Sequence, residues 1–192
     1  MPGHSHAASG ALVWAVAAAA ALPEKVIGIH LGTTDILLGA FLCAGAALLP
    51  DLDHPSGTIA HFLGPVSHYF CRLVCWASGG HRHATHSLLF VALTFGGSWA
   101  GVHYLHRPFT LALVFVLLSL AVRALRLCPP GTGIHSWGVV TLLAAAGTAM
   151  ADSWMSATPQ WMPFAVGLGA LAHLVGDCLT REGCPLFWPV KG

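Results

Sequence analysis

Four separated clusters of histidine and aspartate punctuate this chain of 192 residues, and their spacings are those of metal ligands. They are His4-Ser5-His6, Asp51-Leu52-Asp53-His54, His81-Arg82-His83-Ala84-Thr85-His86, and His173 with Asp177. Residues four apart stand one turn above each other on a helix, so His173 and Asp177 can chelate one ion. Asp51 and Asp53 follow Pro50, and in an extended turn residues two apart send both carboxylates the same way. Imidazoles and carboxylates without thiolates suit Zn²⁺ first, with Mn²⁺ or Fe²⁺ also fitting. The candidate ligands are His6, Asp51, Asp53, His81, His86, His173 and Asp177. These donors exceed what one tetrahedral ion takes and match two divalent ions joined by a bridging carboxylate. Such a pair activates water and clamps an oxyanion or a phosphoryl group.

Taken singly, an interfacial histidine is more often a hydrogen-bonding group than a ligand. A lone aspartate at a helix end is more often a cap. Asp35 falls in span two, where an intramembrane acid is a functional candidate, or else caps the span after Gly32-Thr33-Thr34, and His30, His103, His106 and His135 read as non-ligands. Four clusters gathered at one face turn the balance toward metal binding.

The elements that must gather them are membrane helices. Hydrophobic residues make up 56% of the chain and charged residues 8%, with a mean hydropathy of +0.73. A soluble domain carries about 25% charged residues, so the fold class is an all-α, integral membrane helical bundle. A net charge of +1 offers no field for nucleic acid. The thirteen histidines nearly match the fifteen formally charged side chains. Because a lipid-facing imidazole is costly, they belong at the ends of spans or inside the bundle. The six cysteines form no C-x-x-C pair and read as small apolar residues, not as a disulfide framework. The opening residues lack a basic n-region, so a cleaved secretory leader is not expected.

Apolar stretches broken by Pro, Gly and charge predict about six spans: 8–22, 26–49, 88–103, 109–122, 137–151 and 161–175. Residues 1–192 form a single domain, and the 51–87 loop lies at the interface and carries part of the metal site. Within it, Ile59 to Trp76 is amphipathic, with Phe62, Leu63, Val66, Phe70, Leu73 and Val74 on one face of an interfacial helix. With six spans, Arg72, Arg82, Arg123, Arg126, Arg181 and Lys191 share the side that holds the four clusters; Lys25 and Arg107 lie opposite. The positive-inside rule then places the metal site on the cytoplasmic side of a cell (inner) membrane.

At these residues the sequence resembles the YdjM-like family of membrane-bound metal-dependent hydrolases. The matching text is Ser5-His6 with Gly10, Leu48-Leu49-Pro50-Asp51-Leu52-Asp53-His54-Pro55-Ser56, His81-Arg82-x-x-Thr85-His86-Ser87, and His173-x-x-x-Asp177-x-x-Thr180-x-x-Gly183 with Trp188-Pro189. These pieces run in order over nearly the whole chain. That family is distantly similar to the zinc-dependent phospholipase C and nuclease superfamily. The resemblance implies an all-α fold and a metal cluster cleaving a phosphoester. The family's usual Gly is replaced here by His83, which adds an imidazole to that loop. The soluble superfamily enzymes use their N-terminal residue as a ligand, a place His6 is expected to take.

The expected chemistry is hydrolysis of a lipid or lipid-linked phosphoester by a metal-activated water, with membrane lipids as partners. Asp53, His86 and Arg82 are the candidate catalytic residues, the arginine facing an anionic group through its planar fork. Thr85, Ser87 and Thr180 are expected to orient ligands. No G-x-S-x-G motif supports a serine esterase. The alternatives are a structural metal site in a non-catalytic membrane protein, or a metal or ion transporter. A transporter would place ionisable residues near the midplane on broken, repeated helices.

Overall fold

The computed structural model describes residues 2–155, 159–181 and 183–190, with the backbone alone at 27 and 58. Those residues are helical or irregular, with no strand among them. In chain order the helices are α1 (Gly3–Ala19), α2 (Leu22–Ile27), α3 (Thr33–Ala46), α4 (Pro65–Ser78), α5 (Leu88–Ala100), α6 (His106–Ala124), α7 (Ile134–Trp154) and α8 (Met162–Cys178).

Helix α3 is the axis of the bundle. It packs against α1, α6 and α8, while α5 lies on α8 and α7 lies on α6. The close approaches depend on missing side chains. A Cβ on Gly45 would run into the Leu117 carbonyl of α6, and one on Gly169 of α8 into the Cys43 carbonyl of α3. Small residues at such crossings let apolar helices associate through van der Waals contact where lipid removes the hydrophobic drive. Trp14 of α1 is fully buried, and its indole N–H donates to the Ile36 carbonyl of α3 at 3.0 Å.

Three helical stretches are long and apolar enough to cross a membrane: Thr33–Asp53, Leu88–Ala124 and Ile134–Trp154. Helices α1 and α8 have 17 residues each, or about 26 Å at 1.5 Å per residue. Helix length therefore identifies three candidate spans rather than the six expected. The Leu88–Ala124 stretch has 37 residues, about 55 Å if straight, far more than the roughly 30 Å hydrocarbon core. It does not run straight. A wide turn at Gly101–Leu105 leads to His106 at φ 51°, ψ −135°, and Gly101 meets the ring of Phe109. Helix α5 begins next to His86, and after α6 the Arg126 side chain reaches His4 at 3.5 Å. Both ends of the stretch thus lie at the same end of the bundle.

The remaining helices follow the same alternation. Arg107, entering α6, bonds Asp152 at the end of α7, and Arg123, leaving α6, bonds Ser136 at the start of α7. Helix α1 leaves the His/Asp end, α3 returns to it, α5 leaves, α6 returns, α7 leaves and α8 returns. Outward-facing Leu12, Val16, Leu37, Leu93, Leu142 and Met150 are exposed, an apolar girdle that suits contact with lipid.

The amphipathic stretch between the clusters starts later than expected. Gly64 sits at φ 66°, ψ −139° and Pro65 opens α4, the position where proline's fixed φ suits a helix start. Phe62 is consequently buried, and the exposed apolar stripe is Val66, Tyr69, Phe70, Leu73 and Trp76.

Candidate metal centre

Each side chain of the cluster is delivered by a helix end or a short turn. α3 runs into a 3-10 turn, Pro50–Asp53, favoured by a proline that fixes φ at its first position. This replaces the extended turn expected from the sequence, and it changes where the two aspartates point. Successive residues of a 3-10 turn are rotated by about a third of a turn, so Asp51 and Asp53 diverge. Asp51 faces His86 and His173. Asp53 is fully buried beneath the 81–86 loop. There its carboxylate meets His81 Nδ1 at 2.7 Å, accepts from the Arg82 amide at 3.0 Å and accepts from Thr85 Oγ1 at 2.5 Å.

Four donor atoms then converge. His86 Nε2 lies 3.3 Å from His173 Nε2, 3.5 Å from Asp177 Oδ2 and 3.9 Å from Asp51 Oδ1. His173 Nε2 lies 3.6 Å from Asp177 Oδ2 and 3.7 Å from Asp51 Oδ1. Four ligands bound tetrahedrally at 2.0–2.2 Å are separated from one another by about 3.3–3.6 Å. These five of the six edges fall in or just above that range.

Proton assignment strengthens the fit. His173 Nδ1 donates to the Ala47 carbonyl at 2.7 Å. His86 Nδ1 meets Thr85 Oγ1 at 3.1 Å and Asp53 Oδ2 at 3.4 Å. Both rings therefore carry their N–H on Nδ1 and turn the Nε2 lone pair toward the other ring and two carboxylate oxygens. Facing lone pairs at 3.3 Å repel unless something positive lies among them. Burial pushes the His86 imidazole down, but the Asp177 and Asp53 carboxylates outweigh it and raise its pKa to about 9. The site favours positive charge at this nitrogen, whether proton or metal ion. Carboxylate–histidine pairs such as Asp53–His86 are the usual outer support of a metal-bound imidazole.

His6 closes one side. Its ring stacks on His173 at 3.8 Å between centroids, and its Nε2 lies 3.3 Å from Asp177 Oδ1. Its buried Nδ1 has no hydrogen-bond partner among the described residues. Three groups have donor atoms close enough together to hold an ion: His6, Asp51 and His173; Asp51, His81 and His86; and His86, His173 and Asp177. Asp51 belongs to two of them.

Of the seven candidate ligands, His6, Asp51, His86, His173 and Asp177 thus meet directly. Asp53 sits one layer out, bonded to the imidazoles. His81 is on the rim, its side chain 36% exposed and bonded to Asp53. Arg82 Nη2 pairs with Asp177 Oδ2 at 3.2 Å, so the guanidinium lies against the cluster. His83 is outside it, exposed, with Nδ1 donating to the His81 carbonyl at 3.0 Å.

Some expectations are corrected. Ser87, expected to orient a ligand, caps α5 by accepting from the Phe90 amide at 3.2 Å. The Thr180 hydroxyl donates to the backbone carbonyl of Asp177 at 2.7 Å, not to its carboxylate. Asp35 does cap α3, accepting from the Gly32 amide at 3.1 Å. Cys178 and Cys184, expected to be unpaired, form a disulfide. The turn that ends α8 brings their Cα atoms to 5.2 Å, a proximity that six residues of separation do not advertise. The Ala47 carbonyl, which fixes the His173 tautomer, left no mark in the sequence because any residue supplies a carbonyl.

The family model described as YdjM inner membrane protein matches residues 1–125 and 132–192. The chain belongs to that family. Membership covers all four His/Asp clusters and the helices that carry them, and it agrees with the membrane-spanning stretches of the fold. No curated protein and no solved structure matches the chain.

Proposed function

We propose that this member of the YdjM family is a membrane-bound metal-dependent hydrolase that cleaves a phosphoester of a lipid or lipid-linked substrate. One observation carries the reading: the Nε2 atoms of His86 and His173 face each other at 3.3 Å, and an oxygen of Asp177 and one of Asp51 each lie within 3.9 Å of both. His86, His173, Asp177 and Asp51 would hold one divalent ion, zinc fitting the donor set best. Asp51, shared between donor groups, would bridge to a second ion completed from His6 or His81. When bound, the ions supply Lewis acidity and activate water at neutral pH.

The chain's own residues do the rest. Asp53 and Thr85 hold the His86 ring, and the Ala47 carbonyl holds His173. Arg82, against Asp177 at the partly exposed rim, would pair with the anionic oxygens of the substrate. The exposed stripe of α4 would lie in the headgroup region beside the site, which supports a lipid substrate. A transporter reading is less well supported because the donors sit at helix ends at one end of the bundle.

Elemental analysis of detergent-purified protein tests this reading. The expected result is one to two Zn, Mn or Fe per chain, lost in His173→Ala while the helical content stays. Chelation should leave a folded protein that no longer cleaves a phosphoester lipid. Unfolding on chelation would favour a structural metal, and absence of any transition metal after reconstitution would remove the hydrolase reading.

We further propose that α1, α3, α5, α6, α7 and α8 all cross the bilayer, with the metal centre cytoplasmic. The basic residues support this side, whereas the Cys178–Cys184 disulfide fits an oxidising compartment better. A reporter fused after the last residue separates the two. Fluorescence of a C-terminal green fluorescent protein is expected; activity of a C-terminal alkaline phosphatase instead would invert the orientation.

A further inference from the structure

A second polar feature lies at the same end of the bundle, on the flank of α1 away from the metal donors. An open cavity of about 620 Å³ is bounded by the first turn of α1, the end of α6 and the 128–131 loop. His4, Arg123 and Arg126 line it together with Ile59, Pro129 and Gly131. No carboxylate is among its described lining residues. The three described carboxylates at this end of the bundle, Asp51, Asp53 and Asp177, are committed to the histidines and Arg82.

The two arginines differ in how they are held. Arg123 is buried, and its guanidinium bonds Ser136 Oγ and the Gly131 carbonyl, which fixes its charge at the wall. Its charge is felt nearby: burial first, then His68, then Arg123 keep the His61 imidazole below its ordinary pKa. Arg126 is exposed and donates to His4 Nδ1 at 3.5 Å. It occupies the left-handed position that ends α6, at φ 58°, with the Leu127 amide bonded back to the Val122 carbonyl at 3.0 Å. Glycine is the usual residue at that position of such a cap. The conformation is strained for an L-residue, and it turns Arg126 back toward α1. Helix α1 adds to the field, since it opens without an acid in its first turn and its N-terminal end carries positive partial charge.

We propose that this cavity is a binding site for a phosphate group, and that the group is borne by a lipid headgroup at the membrane surface. Two guanidinium charges, an imidazole and a helix start, with no carboxylate in the described lining, match a phosphate's charge, and the exposed Arg126 fork suits its acceptor oxygens. The cavity sits where α1 begins and α6 ends, the level at which lipid phosphates lie if these helices cross the bilayer. Basic pockets between membrane helices are recognised headgroup sites. The site does not depend on the hydrolase reading, because none of its lining residues is a metal donor.

The test uses the full chain in detergent as purified, and the cavity variants separate this site from any binding at the metal centre. Inorganic phosphate and dihexanoyl phosphatidic acid are titrated separately by calorimetry at low salt. Saturable binding is expected, weakened about tenfold or more by Arg126→Gln or His4→Gln and unaffected by Arg107→Gln at the far end. Tighter binding of the lipid than of inorganic phosphate supports the headgroup as the source. Equal binding supports the phosphate site but overturns the headgroup assignment. No saturable binding of either, or binding unchanged in an Arg126→Gln variant of normal melting temperature, overturns the site itself. Arg123 variants are not used for this, since loss of a buried guanidinium bonded to the loop also threatens folding.

Discussion

The two ends of this helical bundle use charge in opposite ways. At one end, His6, Asp53, His86, His173 and Asp177 are buried together. At the other, Glu24 pairs with His30 and Arg107 with Asp152 at the surface, each partner at least one-third exposed. Buried ionisable groups survive only when their lone pairs and protons are met. The first end meets that demand with an interlocked set in which nearly every donor serves another member of the cluster. The exposed pairs at the far end face no such demand, because solvent or headgroups can satisfy them. Conserving a fold needs only the second kind of arrangement. An apolar bundle gains little by burying two carboxylates and three imidazoles at one point, so that expense marks this end as the candidate metal site.

The comparison can be sharpened first at Asp53, which touches imidazoles and is one layer removed from the converging atoms. Asp53→Asn keeps the shape but removes the charge that holds Nδ1–H of His86. The expected outcome is a folded chain whose metal affinity falls about 10–100-fold, in line with the loss of an outer partner of a metal-bound histidine. Competition with a chelator of known strength reads this directly. An unchanged affinity would mean that the Asp53–His86 contact is packing alone, and that the interlocked description of this end is too strong.

Much of this architecture is legible in the sequence, and what escaped did so for identifiable reasons. The i, i+4 spacing of His173 and Asp177 survives folding because α8 runs straight through both. The Asp51/Asp53 pair misled, since a two-residue spacing reads alike in an extended segment and a 3-10 turn yet sends the carboxylates to different places. The alternation of the helices was readable from Gly, Pro and charge, but helix length was not. The 101–106 turn is itself helical and apolar, so α5 and α6 merge into one stretch whose reversal only the His106 backbone and the Gly101–Phe109 contact reveal. The meeting of residues far apart in sequence, as with His6 against His173, depends on the close α1–α3–α8 packing. The small residues at those crossings hint at contact without specifying register.

The smallest effect is expected at the far end, and it completes the contrast. Arg107 donates to the carbonyls of Asp152 and Met155 and pairs with the Asp152 carboxylate, tying the start of α6 to the end of α7. Both side chains are more than one-third exposed, so the pair is screened and contributes about 1 kcal/mol or less. Arg107→Gln should therefore lower the melting temperature by only about 2–4 °C for a chain of this size, with metal content unchanged. If metal were lost in this variant as fully as in His173→Ala, the two ends would be one cooperative unit. Helix α6 would then transmit its position to the cluster through α3, and the separation of the His/Asp end from a tolerant one would fail. Unchanged metal with a small thermal shift would mean instead that the far end can be redesigned freely while the buried cluster keeps its ions.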